Sequence, residues 1–285
     1  MRPYFLGCPS WADPAWRGSV FADDVRASDF LSHYAQVFNA VEGNTTFYAK
    51  PSEQTVARWA QQMPDDFRFC AKIPREISHS VDLTEQLEAA LFFRQLLSPL
   101  AARVAPYWLQ LPSSFGPERL DELAEFLRQW GQAPLAVEVR HLEFFNKGDA
   151  ERRLNRLLDN GGFERICLDS RPLFSCASQE PAVLHAQAKK PRLPVRPAAF
   201  SQHPQVRFIG HPELEANDRF MAPWLAKVAS WIEQGLSPYV FLHTSDNRRA
   251  PDLARRFHQQ LMLHLPGLEP LPEPPVPAAQ QLGLL

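Results

Sequence analysis

Acids, bases and amides recur near the ends of short apolar runs in this chain, at Glu42, Lys72, Gln110, Glu138, Asp169, Arg207 and His243. A glutamate set beside a histidine can do general acid–base work, which makes Glu42, Glu138 and Asp169 catalytic candidates. Arg140, Arg207 and Lys72 together suit a phosphate or a carboxylate. Lys72 could also form a Schiff base if its pKa were depressed, although a lysine near carboxylates is more often ion-paired. Glu42, Glu138, Asp169, His211 and His243 are residue types that ligate metals, yet no H-x-H or H-E-x-x-H spacing supports a metal site. Trp11, Trp16 and Phe47 offer stacking surfaces for a base or sugar, with ordinary loop packing as the competing reading. The P-loop, G-x-G-x-x-G and G-x-S-x-G patterns are all missing, so nucleotide hydrolysis on a P-loop, Rossmann binding and elbow-type esterase chemistry lack support.

The elements that position these groups follow from periodicity. Short apolar runs occur at Tyr4–Cys8, Ala40–Asn44, Arg68–Ile73, Pro106–Leu111, Leu135–Arg140, Arg165–Asp169, Val206–His211 and Tyr239–Thr244. Helical patterns separate most of them. Ser28-Asp29 precedes Phe30, Leu31, Tyr34 and Phe38; Ser52 opens a helix carrying Val56 and Trp59; Asn160-Gly161-Gly162 is a strong stop signal. Strand and helix in alternation argue for βα units and a parallel sheet, and eight units for a closed (β/α)₈ TIM-type barrel. Such a barrel builds its site from the C-terminal ends of the strands. Residues two apart on a strand share a face, which groups Glu42 with Asn44, Glu138 with Arg140, Cys167 with Asp169, Arg207 with Ile209 and His211, and Phe241 with His243. A salt-bridge network that only closes the barrel end is the competing reading for any one of them. Their gathering at one rim favours a binding site.

The expected domain layout is a single barrel over residues 1–265 and a Pro-rich tail over 266–285. Residues Ser170–Pro204 break the alternation as a long loop after the sixth strand, holding the basic run from Lys189 to Arg196. It would hang over the barrel mouth, as a lid or a solvated linker. The length of 285 residues suits a barrel, which needs about 250. Hydrophobic residues at 45% suffice for a packed core, and a net charge of −2 gives no global attraction to nucleic acid or anionic membrane. Four cysteines without a C-x-x-C pair read as buried thiols of a reducing cytosol, and no window is apolar for long enough to span a membrane. A cytoplasmic protein is the expectation.

These residues also carry a resemblance. Phe38-Asn39-Ala40-Val41-Glu42-Gly43-Asn44-Thr45-Thr46-Phe47-Tyr48 resembles the signature of the YecE-like family, a domain of unknown function. Phe67–Lys72, Leu109–Pro112, Ala136–His141, Asp169–Pro172, Val206–His211 and His243–Asn247 match further stretches in order, as does Gly7–Trp11. The resemblance implies a (β/α)₈-type barrel and supplies no established reaction. It implies site positions at Glu42, Asn44, Lys72, Gln110, Glu138, Arg140, Asp169, Arg207 and Asn247, and His141 ends one of the matching stretches. Separately, Gln281-Leu282-Gly283-Leu284-Leu285 resembles the short motif with which bacterial replication and repair proteins dock onto the sliding clamp, with Gln281, Leu282, Leu284 and Leu285 as anchors. Gly283 and Leu285 depart from that motif.

Three readings stay open at this point. One is an enzyme acting on a small anionic or polyhydroxyl ligand at the mouth, another is a nucleic-acid transaction protein recruited through the tail, and the third is a binding or scaffold barrel without a reaction. No cofactor is specified.

Overall fold

Each apolar run forms one short strand: β1 (Phe5–Cys8), β2 (Ala40–Gly43), β3 (Arg68–Ala71), β4 (Tyr107–Gln110), β5 (Leu135–Glu138), β6 (Glu164–Asp169), β7 (Gln205–Ile209) and β8 (Tyr239–His243). The computed structural model describes residues 2–275. Neighbouring strands pair in parallel in the order β3-β2-β1-β8-β7-β6-β5-β4. The ring closes between β3 and β4 at a Lys72–Trp108 bridge, where Ile73 N donates to Trp108 O at 2.8 Å. This is a (β/α)₈ TIM-like barrel.

A helix follows each strand: α1 (Phe30–Val37), α2 (Glu53–Gln62), α3 (Leu87–Leu96), α4 (Leu120–Trp130), α5 (Asp149–Gly161), α6 (Pro181–Lys189), α7 (Asp218–Glu233) and α8 (Ala250–Met262). Their sequences explain them. Ser52 Oγ accepts from Thr55 N and caps α2. Leu120, Leu123, Phe126, Leu127 and Trp130 form one buried stripe of α4. Gly162, at φ 68°, stops α5 in the left-handed conformation that glycine adopts at little cost.

Two expectations change. The stretch after β6 is not a bare loop: it holds a short helix at Arg171–Phe174 and α6, and the irregular part on the far side of α6 is confined to residues 190–204. Pro181 is tolerated because it sits in the first turn, where its missing N–H has no helical partner to lose. The segment after Pro266 is not extended from its start. Leu268 and Leu271 are buried in the main core, and His258 Nε2 lies 2.8 Å from Glu269 O. The clamp-like residues Gln281, Leu282, Leu284 and Leu285 lie outside the described residues.

The barrel interior has two levels. Ala40, Cys70, Trp108, Ala136, Ile166, Tyr239 and Phe241 form an apolar plug. Trp108 meets Phe241 edge-on at 5.3 Å and donates from Nε1 to Gln205 Oε1 at 3.2 Å. Two residues further along five of these strands, toward their C-terminal ends, the alternation of a strand brings Glu42, Lys72, Gln110, Glu138 and His243 to the same axis. Arg207 of β7, two residues after Gln205, joins them.

Candidate functional site

The level above the plug is a buried charge network. Glu42 has no exposure, and Lys72, Glu138, Arg207 and His243 are at most 3% exposed. Lys72 Nζ is 2.8 Å from Glu42 Oε1 and donates to Gln110 Oε1 at 3.3 Å. Arg207 reaches Glu42 through Nε (3.0 Å) and Nη2 (2.8 Å), and Glu138 through Nη1 (3.2 Å). His243 Nε2 sits 2.6 Å from Glu42 Oε2. Arg140, 17% exposed at its side chain, grips Glu138 Oε1 with Nε (2.8 Å) and Nη2 (2.6 Å). Lys72 also stands over the Trp108 ring at 5.2 Å and the Phe47 ring at 6.0 Å.

The electrostatics assign protonation states. Burial works against ionised Glu42, but Arg207, His243 and Lys72 outweigh it and hold its carboxyl well below the usual range. Glu138 faces the same opposition from burial and is drawn down to about 2 by Arg140, Arg207 and Lys72. Burial lowers His243 to about 3 against the pull of Glu42. Its imidazole is therefore neutral near pH 7, and a bond to ionised Glu42 requires the proton on Nε2. Burial and then Arg207 lower Lys72 to about 8. Both carboxylates are weak bases in this setting, and the group in the network poised to exchange a proton near neutrality is Lys72.

The segment after α6 covers this level. Ser170 Oγ donates to Pro191 O at 2.7 Å and pins the segment to the end of β6. Leu173, Val183, Ala186 and Leu193 pack on Leu168 and Ile209, whose strand parity turns them inward. Lys190 is half-buried, and its charge is felt by Arg207, Glu42, Lys72, Glu138 and His243. Burial and then the like charge of Arg207 bring it to about 7. Lys189 and Arg192 turn outward to solvent. A cleft of about 710 Å³ lies between Leu142, Arg171, Phe174, Arg192, Leu193 and Phe220.

Residues 5–281 match the family described as a protein of unknown function, DUF72. The chain belongs to this family. It is 41% identical over 273 residues to UPF0759 protein YecE of Escherichia coli K12, covering 95% of this chain and 97% of that one. The YecE sequence of Escherichia coli O157:H7 matches equally, at 41%. Among solved structures, a DUF72 family protein of Enterococcus faecalis V583 superimposes with TM-scores of 0.65 and 0.67 in two determinations. At 17% and 18% identity these cover 96% and 92% of this chain, and 99% and 98% of the other, and they bear on the fold alone.

In this DUF72 barrel, Glu42, Lys72, Gln110, Glu138, Arg140, Arg207 and His243 are brought together. Other expected residues are not. Asp169 has no exposure but lies on the opposite strand face from Leu168. Arg171 binds it through Nε (2.9 Å) and Nη2 (2.6 Å), and Trp224 of α7 donates to it at 2.8 Å. Trp11 is buried edge-on against Trp59 and Phe69, in the layer between barrel and helices. Asn44 donates from Nδ2 to Pro9 O at 2.9 Å. His141 and His211 accept on Nδ1 from Glu143 N and Glu213 N and shape their own loops. Asn247 takes a left-handed conformation at φ 64°, and its carbonyl accepts from Trp16 Nε1.

Among the described residues no group of three His, Cys, Asp or Glu side chains is arranged to hold a metal, because lysine and arginine, not further acids, surround Glu42. No helix there is long and apolar enough to cross a membrane. His79 is an addition. It stacks edge-on against Phe47 at 5.4 Å, and burial, then Arg140 and Arg75, lower its pKa. It follows a loop helix, Arg75–Ser78, where no strand alternation marks its direction.

Proposed function

We propose that this barrel binds a small anion-bearing molecule at its C-terminal mouth and acts on it as an enzyme, with Lys72 as the acid–base group. The observation that carries this reading is the charge balance of the buried level. Glu42 and Glu138 face Lys72, Arg207 and Arg140, and His243 is neutral. Cations outnumber carboxylates before Lys190 is added. Uncompensated buried charge costs several kcal/mol, so an arrangement of this sign suits an anion as its partner.

Donor capacity supports the same reading. Arg140 spends Nε and Nη2 on Glu138, and among the described residues Nη1 has no hydrogen-bond acceptor. Lys72 donates to Glu42 and Gln110, which leaves one N–H of its three. Glu42 sets the position and charge of Lys72 and Arg207; Glu138 does so for Arg140. The carboxylates hold the cations in place, and the cations meet the ligand.

Native mass spectrometry of the purified protein, with elemental analysis, tests this reading. A co-purified phosphorylated or carboxylated metabolite that Glu138→Gln and Arg140→Gln both lose is the expected result. A bound neutral molecule, or retention in both variants, would overturn it. Solvent-facing Lys189 and Arg192 give the nucleic-acid reading its support. Salt-dependent DNA binding abolished by alanine at both would favour that alternative.

A further inference from the structure

Lys190 stands apart from every other cation of the mouth. Lys72, Arg140 and Arg207 each hold a carboxylate at 3.2 Å or less. Lys190 has no carboxylate within ion-pair distance and no hydrogen bond from its ammonium among the described residues, although Glu42 and Glu138 are near enough to act on its charge. Those two acids are already committed, Glu42 to Lys72, Arg207 and His243, Glu138 to Arg140 and Arg207. Lys190 is nevertheless half-buried within reach of the charges of Arg207, Glu42, Lys72 and Glu138, while its neighbours Lys189 and Arg192 are exposed to water.

The backbone explains the placement. Lys190 N donates to Ala186 O and closes α6, and the Ser170–Pro191 hydrogen bond ties the next residue to the end of β6. Buried Leu193 then seats the chain in the small apolar cluster with Leu168 and Ile209. The cation is thus held between two anchored points over the ends of β6 and β7. With Lys190 protonated, four cations face two carboxylates, an excess of two positive charges. A single carboxylate ligand would neutralise half of it. A phosphate monoester or free phosphate would neutralise it fully, and it has oxygens enough for the spare donors of Arg140, Lys72 and Lys190.

Resting on the anion-site reading above, we infer that Lys190 is a specificity residue, adding the charge with which the mouth selects a doubly charged oxyanion of the phosphate class over a carboxylate. Its depressed pKa fits the role: an ammonium beside Arg207 and Lys72 without a partner is held at a cost that a bound dianion relieves.

Calorimetric titration of the full-length protein at low salt with inorganic phosphate, phenyl phosphate and acetate tests the inference. Lys190→Gln is expected to weaken phosphate binding about tenfold or more and to erode, in competition, the preference over acetate. Lys190→Arg is expected to restore both, and Lys190→Gln, which removes an unpartnered charge, is expected not to lower the melting temperature. If Arg140→Gln weakens phosphate binding and Lys190→Gln does not, the role of Lys190 is overturned and the anion site stands. If the unaltered protein binds none of the three, the anion site itself falls; acetate bound with both phosphates refused would overturn the selection and leave the site. Phenyl phosphate binding at least as tightly as phosphate supports a dianion site for an ester, and its rejection supports one for the free ion.

Discussion

Arg207 bridges Glu42 and Glu138 across the barrel axis, at 2.8 Å and 3.2 Å, although these partners lie 165 and 69 positions away in the chain. Burial opposes the guanidinium's charge and the two acids more than compensate, raising its pKa. Removing one member of a buried ion cluster strands the others. Arg207→Met is therefore expected to lower unfolding stability by about 3–5 kcal/mol, measured in urea. The double variant Glu42→Gln, Arg207→Met should recover part of that loss; strictly additive losses would show that the pair is not coupled.

Arg140 occupies the accessible edge of the same network. Glu138 keeps Arg207 when Arg140 is lost but gives up its strongest charge partner, so Arg140→Gln should lower stability by about 1–3 kcal/mol, less than Arg207→Met. Phosphate affinity should fall about tenfold. A large drop in melting temperature with affinity intact would make Arg140 a structural residue.

Binding should take up protons. Lys72 sits at about 8 and Lys190 at about 7, facing Arg207, Glu42, Glu138 and, in the case of Lys190, His243. A bound anion raises both values. At pH 8.5, where phosphate is already a dianion and both lysines are largely deprotonated, complex formation should draw up to nearly two protons from the buffer, and affinity should decline as pH rises above about 8. Titrations in two buffers of different ionisation enthalpy measure this directly. Proton release would contradict it.

Acid should weaken the fold in two steps of one sign. His243, at about 3 when folded, takes a proton below ~6.5 when unfolded, so stability is lost as pH falls from ~6.5 toward 3. Glu138, at about 2 when folded against ~4.3 unfolded, contributes stability that is present above ~4.3 and lost as pH falls toward 2. Glu164, raised by burial to about 7, works in the opposite direction, its share being lost as pH rises from ~4.3 through 7. Comparison with His243→Gln cancels Glu164. The unaltered protein should lose more melting temperature than the variant between pH 6.5 and 4.5, and parallel curves would refute a neutral buried His243.

Much of this site is readable from spacing. Glu42, Lys72, Glu138 and His243 each follow by two residues an apolar side chain of the barrel plug, namely Ala40, Cys70, Ala136 and Phe241. Asp169 misleads because it shares its face with Cys167, which packs in the outer core, while Ile166 and Leu168 hold the inward positions of β6. Its partner Trp224 belongs to a distant helix that no local pattern connects to β6. Trp11 lies in a loop without period, and only Trp59 and Phe69 decide that it packs inside. The basic run after α6 marks an insertion near the mouth. That Lys190 is half-buried over the end of β6 while Lys189 and Arg192 are exposed depends on the Ser170–Pro191 tether, a tertiary contact.

The location of a bound oxyanion tests the anion site most directly. Anomalous diffraction from crystals soaked in tungstate is expected to show its strongest peak above the ends of β5–β7, within hydrogen-bond distance of Arg140 and Lys190. A mouth without tungstate, in crystals that hold it elsewhere on the protein, would contradict a site for anions.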